Sequence, residues 1–272
     1  MTHPKITGIH HIGLTADDNE AVLSRYKRIF RASIGIEKDP EQSAARKAVL
    51  TLGRTHVEIS APPSPQPPGR SGWYSLGLRT ESISDDVRAL DPRTIRNSPA
   101  RGEHHVHAES EDLHGLRLEF VAADPAVTAT SGARPDSDGP EDLAWGATGG
   151  LTVKVASQQP AAAAGRLAEF LGGAPYTHEH PHLNSTGHGL SFGDHNLEFV
   201  GSLTDSTEDL VGRFLTSHGE SIFCLTITVD SMDRARKDLV HRGVPFSQWG
   251  RSSLLLGPEF TRGTLIEITD AG

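Results

Sequence analysis

The sequence predicts an α+β protein made of four βαβββ modules. The first observation is a short aliphatic strand carrying a glutamate that recurs four times, around Glu58, Glu119, Glu198 and Glu267. The second is a β-prone strand that precedes each glutamate at a nearly constant distance along the chain. The third is the position of two stretches rich in proline, glycine and small polar residues, at 61–72 and 122–149, which have linker composition. Together these observations divide the chain into two halves of two modules each.

The first module shows the full pattern. Its first strand covers 9–15, and a helix is expected over 19–30 because Val22, Tyr26, Ile29 and Phe30 are apolar at helical spacing. Two β-prone stretches and the strand around Glu58 follow. Because side chains alternate along a strand, this glutamate points to the face opposite its aliphatic neighbours.

The other three modules repeat this order. Their first strands begin near residues 73, 150 and 222, and helices are expected over 84–90, 160–171 and 232–242. Pro160 suits the first turn of one helix and Gly243 the end of another. Alignment of the first strands on their aliphatic pattern makes four positions equivalent, namely His11, Ser75, Gly150 and Cys224.

Composition indicates a globular protein of the cytoplasm. The 272 residues are 36% hydrophobic and 22% charged, and no apolar run is long enough to span a membrane. The first residues lead into a strand without the apolar segment of a secretory signal. One cysteine excludes an intrachain disulfide, and a net charge of −9 without a basic block argues against nucleic acid. A small molecule is the expected partner.

Repeated βαβββ modules with His11 in the first strand, within Ile6–Ile12, and glutamate in the last strand resemble the vicinal oxygen chelate (VOC) superfamily. That superfamily includes glyoxalases, extradiol dioxygenases, epimerases and antibiotic-resistance proteins. The resemblance implies two cup-shaped mixed-sheet halves: an N-terminal domain over 1–122, a linker over 123–148 and a C-terminal domain over 149–272. It also implies a homodimer.

Within this superfamily, the opening strand and the ending 263–270 are most similar to two-domain dioxygenases that cleave hydroquinones or related phenols. Transferred by position, the metal ligands of those enzymes become His11, Cys224 and Glu267. The implied ion is Fe(II), with Mn(II) or Zn(II) as alternatives, and a metal-free site is a further alternative. The middle ligand departs from the family pattern, because a thiolate is softer and more anionic than the expected imidazole.

Two residues are candidates for catalysis. Glu58 is expected to act as a general base or as a fourth ligand, and Arg251 resembles a substrate-facing arginine of the dioxygenases. The leading function is therefore a metal-dependent, extradiol-type dioxygenase for a small phenolic or quinol substrate. The alternatives are an isomerase, epimerase or lyase with a glutamate base, and a cup that only binds an aromatic compound.

Two other groups of residues carry simpler interpretations. Glu119 and Glu198 face no histidine in the alignment, so their modules are expected to be degenerate copies with solvated or hydrogen-bonded carboxylates. His178, His180 and His182 alternate, and an extended segment would put all three on one face, a geometry that can bind Zn²⁺. The same pattern also suits a polar edge strand, which Pro181 favours.

Overall fold

The computed structural model of the chain describes residues 3–15, 18–30, 34–38, 46–52, 55–60, 72–83, 95–96, 105–109, 113–114, 116–122, 147–203, 209–250, 252–261 and 263–270. Within the parts so described, no helix is both long enough and apolar enough to cross a membrane.

Sixteen strands are present in these ranges and alternate with helices as the repeat predicts. In modules 1 and 2 they are β1 (Ile6–Thr15), β2 (Ile34–Lys38), β3 (Arg46–Leu52), β4 (Thr55–Ser60), β5 (Gly72–Thr80), β6 (Ile95–Arg96), β7 (His105–Glu109) and β8 (Arg117–Ala122). In modules 3 and 4 they are β9 (Ala147–Ala156), β10 (Ala174–His180), β11 (Ser185–Phe192), β12 (His195–Val200), β13 (Ser221–Val229), β14 (Ser247–Trp249), β15 (Ser253–Leu256) and β16 (Leu265–Asp270).

The strands form two sheets of eight. Their orders are β2-β3-β4-β1-β5-β8-β7-β6 and β10-β11-β12-β9-β13-β16-β15-β14. In every module the first strand lies beside the last one, and the pairs β1–β4, β5–β8 and β9–β12 are parallel. Each repeat glutamate is therefore brought next to the first strand of its own module. The α+β prediction is confirmed, with mixed sheets and few helices.

Five α-helices lie in the same ranges: α1 (Asn19–Phe30), α2 (Pro160–Leu171), α3 (Leu210–His218), α4 (Met232–His241) and α5 (Pro258–Thr261). Helix α1 buries Val22, Tyr26, Ile29 and Phe30, the stripe that its spacing predicts. Side chains cap α3 and α4: Asp209 accepts a hydrogen bond from the Gly212 backbone, and Ser231 accepts one from the Arg234 backbone. The predicted helix 84–90 falls outside the described residues.

The chain divides into two compact units that cut across the sheets. Unit 1 contains Met1–His10, Tyr74–Ala123 and Leu151–Leu225, and so holds most of modules 2 and 3. Unit 2 contains His11–Trp73, Asp124–Gly150 and Thr226–Gly272, which is most of modules 1 and 4. The sequence left this pairing open. The domain boundaries at 122 and 149 stay a prediction.

Side-chain contacts hold modules 1 and 4 together inside unit 2. The Tyr26 hydroxyl on α1 and the Thr264 hydroxyl before β16 are 2.7 Å apart and both buried. Arg25 donates to the backbone carbonyls of Glu259 and Phe260, and its guanidinium lies 5.5 Å from the Phe260 ring centroid. Helix α1 is thereby fixed against the segment that leads into the Glu267 strand.

Two expectations about local structure need correction. The strand register places Gly13, Gly77 and Lys154 opposite Glu58, Glu119 and Glu198, so the position equivalent to His11 in module 3 is Thr152 and not Gly150. In module 3, the alignment by aliphatic pattern was therefore wrong by two residues. The run from His178 to His182 is also not fully extended, because β10 ends at His180 and a 3-10 turn covers Pro181–Leu183.

Candidate active site

His11 and Glu58 come together in module 1 of unit 2. They lie on adjacent parallel strands, and the His11 Nε2 atom is 3.7 Å from Glu58 Oε2. His11 is almost completely buried, whereas 12% of the Glu58 side chain is exposed. Strand alternation explains the direction of the His11 side chain. Ile12 and Leu14 point to the apolar face of β1, so His11 points to the opposite face.

The space opposite the Glu58 carboxylate is not filled by a side chain from β1. Gly13 is the residue in register with Glu58, and the neighbouring position on the same face is His11. The other repeat glutamates are more deeply buried, with 3% exposure for Glu119 and Glu267 and 2% for Glu198. Glu58 is accordingly the repeat carboxylate that a small molecule can reach most easily.

Glu267 has a different environment, in module 4 of unit 2. The Thr226 hydroxyl on β13 donates a 2.8 Å hydrogen bond to Glu267 Oε2, and both side chains are buried. Thr226 is two residues beyond Cys224 and thus on the same face of the strand. The sequence analysis did not identify Thr226, although its position on that face was a usable signal.

Cys224 is completely buried, and its thiol donates to the backbone carbonyl of Leu225 at 3.7 Å. It is grouped with unit 1, whereas His11 and Glu267 are grouped with unit 2. Arg251, the other candidate, lies outside the described residues.

The described donors do not fit the implied iron site. Among the residues that the structure describes, no three histidine, cysteine, aspartate or glutamate side chains form a complete ligand set. One side chain bonded to Glu267 is the Thr226 hydroxyl, two residues from the position where the family pattern has an imidazole. The Cys224 thiol is directed at the backbone carbonyl of Leu225, and it does not supply the second imidazole of the family's ligand set.

The two glutamates of unit 1 are also placed. Glu119 is in register with Gly77 on β5, and Glu198 with Lys154 on β9. Of the two predicted states, solvated or hydrogen-bonded, the first is excluded for both carboxylates, because they are almost completely buried. Glu198 lies beside His180, a partner that the first-strand alignment did not reveal.

Solved structures with the same fold cover nearly the whole chain. A triple mutant of 4-hydroxymandelate synthase from Streptomyces coelicolor aligns with a TM-score of 0.66 at 14% identity, over 99% of this chain and 93% of that one. Its fold is that of the VOC superfamily. 2,2',3-Trihydroxybiphenyl 1,2-dioxygenase from Sphingomonas wittichii gives 0.61 at 13% identity, over 98% and 91% of the two chains.

A halotolerant catechol dioxygenase gives a TM-score of 0.62 at 11% identity, over 98% of this chain and 87% of that one. No protein-family model matches the sequence, and no curated protein does. The VOC fold predicted from the repeated modules is thus confirmed, as is the resemblance to two-domain ring-cleaving dioxygenases at the level of fold.

Proposed function

We propose that this chain is an enzyme of the VOC superfamily that moves a proton on a small molecule, with Glu58 as the general base. The observation that carries this proposal is the pair of Glu58 and His11, with 3.7 Å between Oε2 and Nε2 and a glycine opposite the carboxylate. Partial exposure of Glu58 leaves the base accessible to a small molecule. The buried imidazole of His11 is an ionisable group close to the carboxylate.

The chemistry is proton abstraction from a carbon next to a carbonyl group. Glu58 takes the proton, and the electron pair of the C–H bond moves to the carbonyl oxygen to form an enolate. Return of the proton to the same carbon gives an epimer, and return to the adjacent carbon gives an isomer. If a leaving group departs from the adjacent carbon, the product is an unsaturated compound and the enzyme is a lyase. His11 is a positioning residue for the base. None of these reactions oxidises or reduces the substrate overall, so none needs an oxidant.

Proton exchange in D₂O tests this proposal without knowledge of the product. Wild-type protein is incubated with 2-hydroxyketones, β-keto acids and 2-substituted thioesters, and deuterium uptake at carbon is followed by NMR. We expect Glu58→Gln to slow exchange by about 100-fold or more, since general bases contribute that much. Exchange should survive EDTA.

Glu119→Gln is the matched control, because it changes the equivalent glutamate of module 2. It should exchange at the wild-type rate. Equal rates for wild type and Glu58→Gln would refute the role of Glu58. The His11→Ala variant should shift the pH profile of exchange, a readout that a merely structural change would leave in place.

A ring-cleaving dioxygenase is the second candidate. It is favoured by fold matches to such enzymes that run the length of the chain, and by the presence of His11 and Glu267 in one unit. Metal analysis of untagged, anaerobically purified protein discriminates the two. Stoichiometric iron or manganese that both His11→Ala and Glu267→Ala abolish, with O₂ consumption on catechols or hydroquinones, would replace the first proposal by the second.

A further inference from the structure

A cluster of polar side chains around the buried His180 and Glu198, in module 3 of unit 1, is not used by the proposed function. The strand register puts His178 opposite Gly187 on β11, and Tyr176 opposite Gly189. Gly189 is in turn opposite Glu198 on β12. Because paired residues share a face, these side chains all rise from one surface of the sheet.

Two glycines allow the cluster to form. A Cβ atom at Gly187 would collide with Glu198 Oε1, and one at Gly189 would overlap the Tyr176 ring. The Glu198 carboxylate therefore extends from β12 over the bare backbone of β11 and reaches the edge strand β10. It ends at the glycine whose cross-strand partner is His178.

The contact that Glu198 makes there is close but incomplete. His180 Nε2 lies 3.0 Å from Glu198 Oε1, and the two side chains are only 7% and 2% exposed. Neither of these two atoms has a hydrogen bond with any of the described residues. Buried polar atoms normally have hydrogen-bond partners, so these two atoms are unusual even though the equally buried Lys154 stands in register with Glu198.

The spacing suits two ligands of one cation. Zinc ligands of the nitrogen and oxygen type lie about 2.0 to 2.2 Å from the ion, which puts two ligand atoms of a tetrahedral site about 3.3 to 3.6 Å apart. The His180 and Glu198 atoms, 3.0 Å apart, reach this separation by moving a few tenths of an ångström. A third imidazole is at hand, because the rings of His178 and His180 are stacked with centroids 4.6 Å apart. His178 is exposed, so a side-chain rotation towards Gly187 meets little resistance.

We propose that His178, His180 and Glu198 form a binding site for a divalent cation of the zinc type. Two donors are already in place, and the exposed imidazole completes the set by turning. Two nitrogens and one oxygen leave a coordination position for water or a small ligand. This site uses an edge strand and the last strand of module 3, and it is independent of the His11 and Glu58 site.

Titration of untagged protein with Zn²⁺ by calorimetry tests this proposal. We expect one high-affinity Zn²⁺ per chain, and at least about tenfold weaker binding in His178→Ala and in Glu198→Gln. The exposed His178 is suited to this test because its loss should not disturb folding. Co²⁺ substitution adds a spectroscopic check, since a site without cysteine should show no thiolate charge-transfer absorption.

Three variants serve as controls. Glu179→Gln removes the exposed carboxylate between His178 and His180, which points to the other face of β10, and His218→Ala removes an exposed imidazole on α3. Both variants should bind Zn²⁺ as wild type does. His11→Ala should also leave this affinity unchanged. Wild-type binding no tighter than that of His178→Ala and Glu198→Gln would overturn the proposal, as would a loss of affinity in His218→Ala equal to that in His178→Ala.

Discussion

Modules 1 and 3 use the same backbone position for opposite purposes. In module 1 the repeat glutamate, Glu58, faces Gly13 and keeps 12% of its side chain exposed. In module 3 Glu198 faces Lys154, and both are only 2% exposed. The register position thus holds a glycine opposite the accessible carboxylate and a buried lysine opposite the buried one. The fold supplies four similar positions, and the residue opposite each glutamate is one of the features that set what its carboxylate can do, since Glu119 also faces a glycine, Gly77, and is nonetheless only 3% exposed.

A lysine introduced opposite Glu58 tests whether the register residue controls the carboxylate. Gly13→Lys should place an ammonium group opposite Glu58, fill the space beside it and hold its carboxylate in an ion pair. We expect deuterium exchange to fall about 100- to 10,000-fold, the range for loss of a general base. NMR of substrate in D₂O measures the change.

Gly77→Lys, which puts the same residue opposite Glu119, is the control and should keep activity. Circular dichroism shows whether both variants fold, and Gly13→Ala supplies a milder change at the same position. Undiminished exchange in a folded Gly13→Lys protein would show that the residue opposite the glutamate does not control it.

The reverse change tests the buried cation. Lys154→Met removes the buried lysine in register with Glu198, and if its ammonium compensates the carboxylate, the buried charge left behind should cost about 3 kcal/mol or more. Urea unfolding should show this loss, and Zn²⁺ affinity at Glu198 should rise because a competing positive charge is gone. Stability equal to wild type would mean that Lys154 does not compensate Glu198.

The glycines under the module 3 cluster give a smaller effect of known sign. Gly187→Ala forces its methyl group against Glu198, and overpacking of this kind costs about 1 to 3 kcal/mol. Gly165→Ala is the matched change, since no atom lies within 4 Å of the added methyl in helix α2. That variant should gain about 0.5 to 1 kcal/mol from helix propensity. Thermal unfolding of the two variants should thus shift in opposite directions.

Sequence patterns predicted the fold because repeats and apolar periodicity are local. The helices 160–171 and 19–30 appear with the predicted bounds, since their apolar stripes are complete in the sequence. The glutamate strands were found for the same reason. Thr226 was missed because its bond to Glu267 joins residues far apart in the chain.

The pairing of modules also lay beyond sequence reasoning. Contacts such as that of Tyr26 with Thr264 join side chains 238 residues apart, and no spacing encodes them. The reach of Glu198 to His180 depends on the bare backbone of Gly187, which reads in sequence as an ordinary strand glycine.

The two units also differ in how their modules are joined, and pH should expose this difference. Unit 2 uses the neutral hydroxyls of Tyr26 and Thr264, and burial raises the pKa of Tyr26 above its usual value. Unit 1 uses Glu220. Burial tends to raise the pKa of Glu220, but hydrogen bonds from Ser157, the Gln158 backbone and His114 lower it below the usual value.

A carboxyl whose pKa is lower in the folded state stabilises the protein above its unfolded pKa, about 4.3 for glutamate. This stability is lost as pH falls through the folded pKa. Glu220→Gln should therefore lower stability by about 1 kcal/mol near neutral pH, where it weakens charge-assisted hydrogen bonds, and the deficit should disappear well below pH 4. Tyr26→Phe should instead show a deficit that does not change with pH. Urea unfolding between pH 7 and 3 measures both, and a constant deficit for Glu220→Gln would show that its charge does not hold unit 1 together.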